Sequence, residues 1–229
     1  MRLCSRLEYL LARFDQEKVY LVGNSWGSLL GVLTVAQRPE LFHAYVGAGQ
    51  MVDLPATDQI YYDDTLAWAD RTDNTEIATK LRGNGPPPCA DPLDYEAALT
   101  YEHEVYPYDD SRAAESSAGF SENLFVEEYS LLEQLHNLAA FLDVFSAFYP
   151  RLQDIDLRTQ VTELDVPVYL VQGRYETRGR AEPAAEWFEI LRAPTKQMIV
   201  FENSGHRSLF QEPERFHEVM NNIRAEQTG

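Results

Sequence analysis

Residues 23–27 read Gly-Asn-Ser-Trp-Gly, a G-x-S-x-G pentapeptide placed between a short apolar run and a helical pattern. A serine hydroxyl is a poor nucleophile until a base takes its proton and an acid orients that base. A serine held on a sharp strand-to-helix turn, with small residues on both sides, presents its oxygen for that chemistry. Ser25 is therefore the candidate nucleophile, and Gly23 and Gly27 are expected to relieve the crowding around it. The base must come from five histidines. His43 opens a strand candidate, His103 and His136 fall in helical patterns, and His217 falls in the last helix. His206 alone follows a late strand, in Phe-Glu-Asn-Ser-Gly-His, and is the candidate base. The acid should follow the strand before that one, where Glu176 lies just past Gly173. A glutamate can accept the imidazole N–H and stabilise the imidazolium as an aspartate does. Asp165 precedes its strand and sits at the wrong end. The order serine, acid, histidine is the one such turns use in parallel sheets, and the N–H after the nucleophile, here that of Trp26, is the expected first oxyanion donor.

The elements that must carry these residues follow from periodicity. Residues 2–14 space Leu3, Leu7, Leu10, Leu11 and Phe14 as a helix. Lys18–Gly23 reads as a buried parallel strand, residues 26–37 as a helix stopped by Pro39, and 43–50 as a second strand. Strands at 166–173 and 196–203 alternate with helices near 180–192 and 213–226. Strands alternating with helices predict an α/β fold with a parallel sheet. From about Asp53 to Leu157 no comparable strand run occurs. Helical patterns at 59–80, 92–105 and 121–149, with Gly-Asn-Gly-Pro-Pro-Pro (83–88) as a loop, predict an all-helical insertion. The expected division is 1–52 and 158–229 for the sheet-bearing part and 53–157 for the insertion.

Composition bounds the partners. The chain has 229 residues, 45% of them hydrophobic, enough for one substantial core. A formal net charge of −18 argues against nucleic acid or an anionic membrane as a partner. Cys4 and Cys89 form no disulfide framework and fit a reducing compartment. The first twenty residues carry charges throughout, unlike a signal peptide, and no apolar run approaches the ~18 residues of a membrane span. A cytoplasmic location is the expectation. No cluster has metal-ligand spacing, and His103 within Tyr-Glu-His-Glu stands among helix carboxylates. No cofactor is implied.

Together these residues resemble the α/β-hydrolase fold, and within it the proline iminopeptidase (prolyl aminopeptidase) family of serine peptidases. The elbow and its helix, GNSWGSLLGVLTVAQRPELF, are similar to that family's GGSWGS segment with its Arg/His-Pro-Glu ending. Gly173-Arg174-Tyr175-Glu176 is similar to its GRYD acid loop, and Ser204-Gly205-His206 matches its histidine loop. The resemblance implies a helical cap whose acidic side chains hold the substrate's free amino terminus. Tyr101-Glu102 and Glu122-Asn123, with Phe125 beyond, are the counterparts, so Glu102 and Glu122 are the candidate ammonium ligands. Paired carboxylates suit a partly desolvated ammonium. Tyr95 and Phe125 are candidates to line a proline-sized pocket.

The same family carries about four strands before the helix that precedes the elbow, on the order of 80–100 residues at roughly 30 per βαβ unit. Its second oxyanion donor lies in a His-Gly-Gly-Pro-Gly-like loop that has no match in this sequence. The expectation is that the chain is the C-terminal portion of a longer enzyme and that its first strand forms an exposed apolar edge. Three functions remain open at this point. They are a peptidase releasing N-terminal residues, preferably proline; an esterase or amidase with the same triad; and an impaired or partner-binding domain that keeps the triad by descent.

Overall fold

The computed structural model describes residues 2–89, 91, 94, 96–99, 101–106 and 128–228. It divides into two compact units, residues 1–52 with 156–229, and residues 53–155. The sequence expectation ended the insertion at 157. The chain instead rejoins the first unit at Asp156, and the Leu157 N–H donates to the Val52 carbonyl at 3.0 Å.

The first unit opens with α1 (Arg2–Phe14), β1 (Val19–Asn24), α2 (Trp26–Gln37), a 3₁₀ turn at Pro39–Leu41 and β2 (Phe42–Ala48). The second contains α3 (Leu54–Arg71), α4 (Thr75–Asn84), the single turns α5 (Glu96–Leu99) and α6 (Glu102–Val105), and α7 (Leu131–Leu152). The first unit resumes with α8 (Leu157–Gln160), β3 (Val168–Gly173), α9 (Arg178–Ile190), β4 (Lys196–Phe201), α10 (Ser208–Gln211) and α11 (Pro213–Thr228). The short α8 and α10 carry too few residues to show a period, and the sequence did not reveal them.

Among the described residues the strands run parallel in the order β1-β2-β3-β4. Alternation along β2 sends Ala44, Val46 and Ala48 to one face, where Tyr169, Val171, Phe201 and Ile223 of α11 complete a buried cluster. Tyr45 points to the opposite face, against Gly31 of α2. Both faces are therefore covered by helices, as a parallel sheet requires. These strands end on the side that carries Ser25, Glu176 and the loop to His206, the end where open α/β sheets place their ligands.

The helical pattern predicted over 59–80 is two helices. Asp73 adopts a left-handed backbone (φ 55°), and the Asn74 side chain accepts from the Ile77 N–H to cap α4. Cap chemistry thus overrides a hydrophobic period that runs on through the break. In the same way, Asp53 caps α3 by accepting from the Ala56 N–H. Ser130 and Glu133 form a reciprocal capping box that sets the start of α7. Tyr61, Ala69, Ile77, Leu81, Ala98 and Tyr106 make the core of this second unit.

β1 pairs with β2 only, among the described residues. Val22 on β1 is 40% exposed, and Tyr9, Leu10 and Phe14 of α1 and Leu30 of α2 are exposed as well. Such an edge is a template for association. The chain is expected to scatter light increasingly with concentration, and Val22→Lys is expected to reduce that scattering while leaving the melting temperature almost unchanged.

Candidate active site

Ser25 sits between the last residue of β1 and the first of α2, with φ 53° and ψ −124°. A non-glycine residue in that region costs on the order of 1–3 kcal/mol and persists only where its surroundings impose it. Three sets of contacts do so. The Ser25 N–H donates to the Ala48 carbonyl at 3.0 Å, fixing the turn to the end of β2. The buried Ser28 hydroxyl donates to the Ser25 carbonyl and accepts from the Met51 N–H at 2.9 Å. Behind them the Tyr45 hydroxyl lies 2.8 Å from both the Ser28 carbonyl and Gln50 Oε1, and its one proton serves one of them at a time.

The two glycines of the pentapeptide have different roles. A Cβ on Gly23 would lie 2.6 Å from the Gly27 carbonyl oxygen and 2.7 Å from Ser28 Cα, so the strand can approach the helix only without one. A Cβ on Gly27 would meet nothing within 4 Å. The expectation that both glycines relieve crowding therefore holds for Gly23 and is corrected for Gly27.

Ser25, His206 and Glu176 are brought together. Ser25 Oγ is 2.8 Å from His206 Nε2, and His206 Nδ1 is 2.6 Å from Glu176 Oε2. An ionised carboxylate can only accept, so Nδ1 carries the ring proton and Nε2 is left to accept from the serine hydroxyl. The Met51 thioether, 3.9 Å from Ser25 Oγ, is a weak competing acceptor. Glu176 is buried. Burial alone pushes its carboxyl up, but attraction to His206 and Arg180 and hydrogen bonds from both outweigh burial and hold it at about 2. Its second oxygen, Oε1, accepts from the Thr177 N–H at 3.1 Å and from Arg180 Nε at 2.8 Å. Trp26 is the first residue of α2, so its N–H belongs to the positive end of that helix, beside Ser25 Oγ.

The loop that carries His206 is held from below. Glu212 Oε1 accepts from the Asn203 N–H at 3.0 Å and the Ser204 hydroxyl at 2.9 Å. Gln211 Oε1 accepts from the Gly205 N–H at 3.0 Å. On the opposite side Gly49, at φ 53°, approaches the imidazole so closely that a Cβ would lie 2.9 Å from both Cε1 and Nδ1 of His206. Sequence reasoning did not single out Gly49, Ser28, Arg180, Gln211 or Glu212. A glycine just past the end of a strand, in Gly47-Ala48-Gly49, was the only signal for any of them.

Glu102 opens α6 in the second unit, where the Tyr61 hydroxyl lies 3.4 Å from its Oε1 and Tyr101 stacks on Trp68 at 5.0 Å. Glu122, Asn123, Phe125 and Tyr95 lie outside the described residues. His43 stacks on Tyr20 within the sheet, and His217 bonds Asn221 on α11.

Residues 1–213 match the family model described as the alpha/beta hydrolase fold. The chain belongs to the α/β-hydrolase fold family. A probable aminopeptidase of Bacillus subtilis (strain 168), YbaC, is 27% identical over 216 residues, 91% of this chain and 66% of that protein. The chain thus spans just under two thirds of that relative. Among solved structures, the α/β hydrolase MGS-M2 from a deep-sea metagenome library has TM-score 0.59 at 16% identity, covering 96% of this chain and 70% of its own. The esterase EaEST from Exiguobacterium antarcticum has TM-score 0.52 at 17% identity, covering 96% and 72%. A proline iminopeptidase from Mycobacterium smegmatis has TM-score 0.51 at 17% identity, covering 97% and 70%. At these identities the structures share the hydrolase fold, which hosts many chemistries.

Two outcomes follow from this site. Gly49→Ala forces an L-residue into the left-handed region beside His206. It is expected to lower stability by about 1–2 kcal/mol and to slow any reaction of Ser25 by about 100-fold through displacement of the imidazole. Denaturant melts and reaction rates check the two effects. Because Glu176 is held below its ordinary value near 4.5, it adds stability that is fully present above pH 4.5 and is lost as the pH falls toward 2. Melting curves of Glu176→Gln across that window are expected to show a weaker acid destabilisation than the unsubstituted chain.

Proposed function

We propose that this α/β hydrolase is a serine peptidase of the proline iminopeptidase type, releasing N-terminal residues, preferably proline, from small peptides. The carrying observation is the chain of contacts from Ser25 Oγ to His206 Nε2 at 2.8 Å and from His206 Nδ1 to Glu176 Oε2 at 2.6 Å. In this reading Ser25 Oγ attacks the scissile carbonyl while its proton passes to His206 Nε2. The carbonyl oxygen becomes an oxyanion, with the Trp26 N–H as one donor to it. The C–N bond breaks as the imidazolium returns the proton to the leaving amine, leaving an ester on Ser25. Water then attacks that ester, giving a proton to His206; the bond between the acyl carbon and Ser25 Oγ breaks as His206 returns that proton to Oγ, and the acyl group leaves as a carboxylic acid. Glu176 stays ionised throughout, holding the ring and stabilising the imidazolium.

The peptidase half of the proposal is supported by the likeness to the probable aminopeptidase YbaC and by the elbow and acid-loop segments. Glu102 and Glu122 are the proposed ligands of the substrate's ammonium. An esterase or amidase with the same three residues is the second reading, favoured by an esterase at a TM-score equal to that of the iminopeptidase within 0.01.

The two readings separate on substrate. A chromogenic prolyl amide with a free amine is expected to turn over with a higher kcat/KM than its N-acetylated form or a short acyl ester. Glu102→Gln is expected to raise KM about tenfold for the free-amine substrate and to leave ester hydrolysis unchanged. Turnover of esters alone, indifferent to Glu102→Gln, overturns the peptidase reading. Ser25→Ala and His206→Ala are expected to abolish both activities.

A further inference from the structure

The acid of the proposed triad is tied to a cation that the serine, histidine and glutamate do not by themselves require. Arg180 lies one helical turn past Glu176, in the first turn of α9. Its Nε donates to Glu176 Oε1 at 2.8 Å, with the Arg180 side chain 11% exposed and that of Glu176 1% exposed. The arrangement divides the carboxylate. Oε1 takes Arg180 and the Thr177 N–H, and Oε2 takes His206. The placement also runs against local preference. A helix N-terminus favours anions, yet the first turn of α9 contains no acid and has arginines at 178 and 180. Arg178 is paired along the helix surface with Glu182, while Arg180 turns toward the buried carboxylate instead. Local rules broken in this way tend to mark functional sites.

We propose that Arg180 is a positioning residue for the hydrolase reaction. It occupies Glu176 Oε1 so that Oε2 has one orientation, toward His206 Nδ1. This rests on the proposed role of Ser25, His206 and Glu176. The division explains the length of the acid. One glutamate reaches Arg180 on one oxygen and His206 on the other. An aspartate, shorter by one carbon–carbon bond of about 1.5 Å, cannot reach both from the same backbone position. Arg180 and a glutamate at position 176 are therefore a matched pair.

The test follows the rate at which a fluorophosphonate probe esterifies Ser25. In that step phosphorus gains the Ser25 oxygen, fluoride leaves, and the serine proton passes to His206. The rate reads nucleophile activation without any need for the natural substrate. Arg180→Met is expected to slow labelling about 10- to 100-fold, the range for losing one hydrogen bond to a charged group. Arg180→Lys, which keeps the cation but not the planar donor, should fall between the two. In a Glu176→Ala background Arg180→Met should cause no further slowing, because the group it positions is gone. Circular dichroism confirms folding of each variant, and if Arg180→Met does not fold, Arg180→Lys takes its place in both backgrounds. Labelling of the substituted chain at the unsubstituted rate overturns the proposal. So does an equal loss in the Glu176→Ala background, which a purely structural arginine would give. If the unsubstituted folded chain is never labelled, it is the serine-hydrolase reading that fails instead.

Discussion

One backbone conformation governs the site: Ser25 at φ 53°, between a strand and a helix that leave no room for a side chain at Gly23. That conformation is unfavourable alone, and much of its surroundings serves to hold it. The Ser25 N–H is pinned to β2, its carbonyl to Ser28, and Ser28 in turn to Met51. The result is a hydroxyl at the carboxyl end of a parallel sheet, beside a helix N-terminus, with its proton aimed at an imidazole. Strain at Ser25 is thus maintained by ordinary hydrogen bonds in the layers around it.

The same logic continues through the charges. A buried carboxylate would be neutral unless paired. Glu176 is paired on both oxygens, to His206 and to Arg180, and so stays ionised and oriented. The imidazole between it and the serine is confined by Gly49 on one side and by a loop that Gln211 and Glu212 hold on the other. Placement of the histidine depends on groups just past β2, in the loop from β3 to α9 and at the end of α10, which the parallel sheet brings to one end.

The sequence made the α/β architecture legible because strand runs, helical periods and the pentapeptide agreed with one another. Ser25, His206 and Glu176 could be named because each follows a strand in the right chain order, a constraint of topology rather than of contact. Less legible was anything set by a close approach. Gly27 looks equivalent to Gly23 in the string, yet an added carbon meets backbone at one and open space at the other. The break between α3 and α4 is set by Asp73 and the Asn74 cap, which a hydrophobic period does not register. Arg180 is an ordinary surface arginine by composition, and its burial against Glu176 appears only in three dimensions. Glu102 and Glu122 were reached by resemblance alone, since neither spacing nor charge distinguishes them among 37 acidic residues.

The central claim is that Ser25 is a nucleophile activated by His206 and Glu176. Intact-mass measurement of the folded chain after exposure to a fluorophosphonate, followed by peptide mapping, tests it most directly. The account predicts a single adduct on the peptide containing Ser25, absent from Ser25→Ala. A folded chain that gains no mass, or an adduct on any other residue, contradicts it.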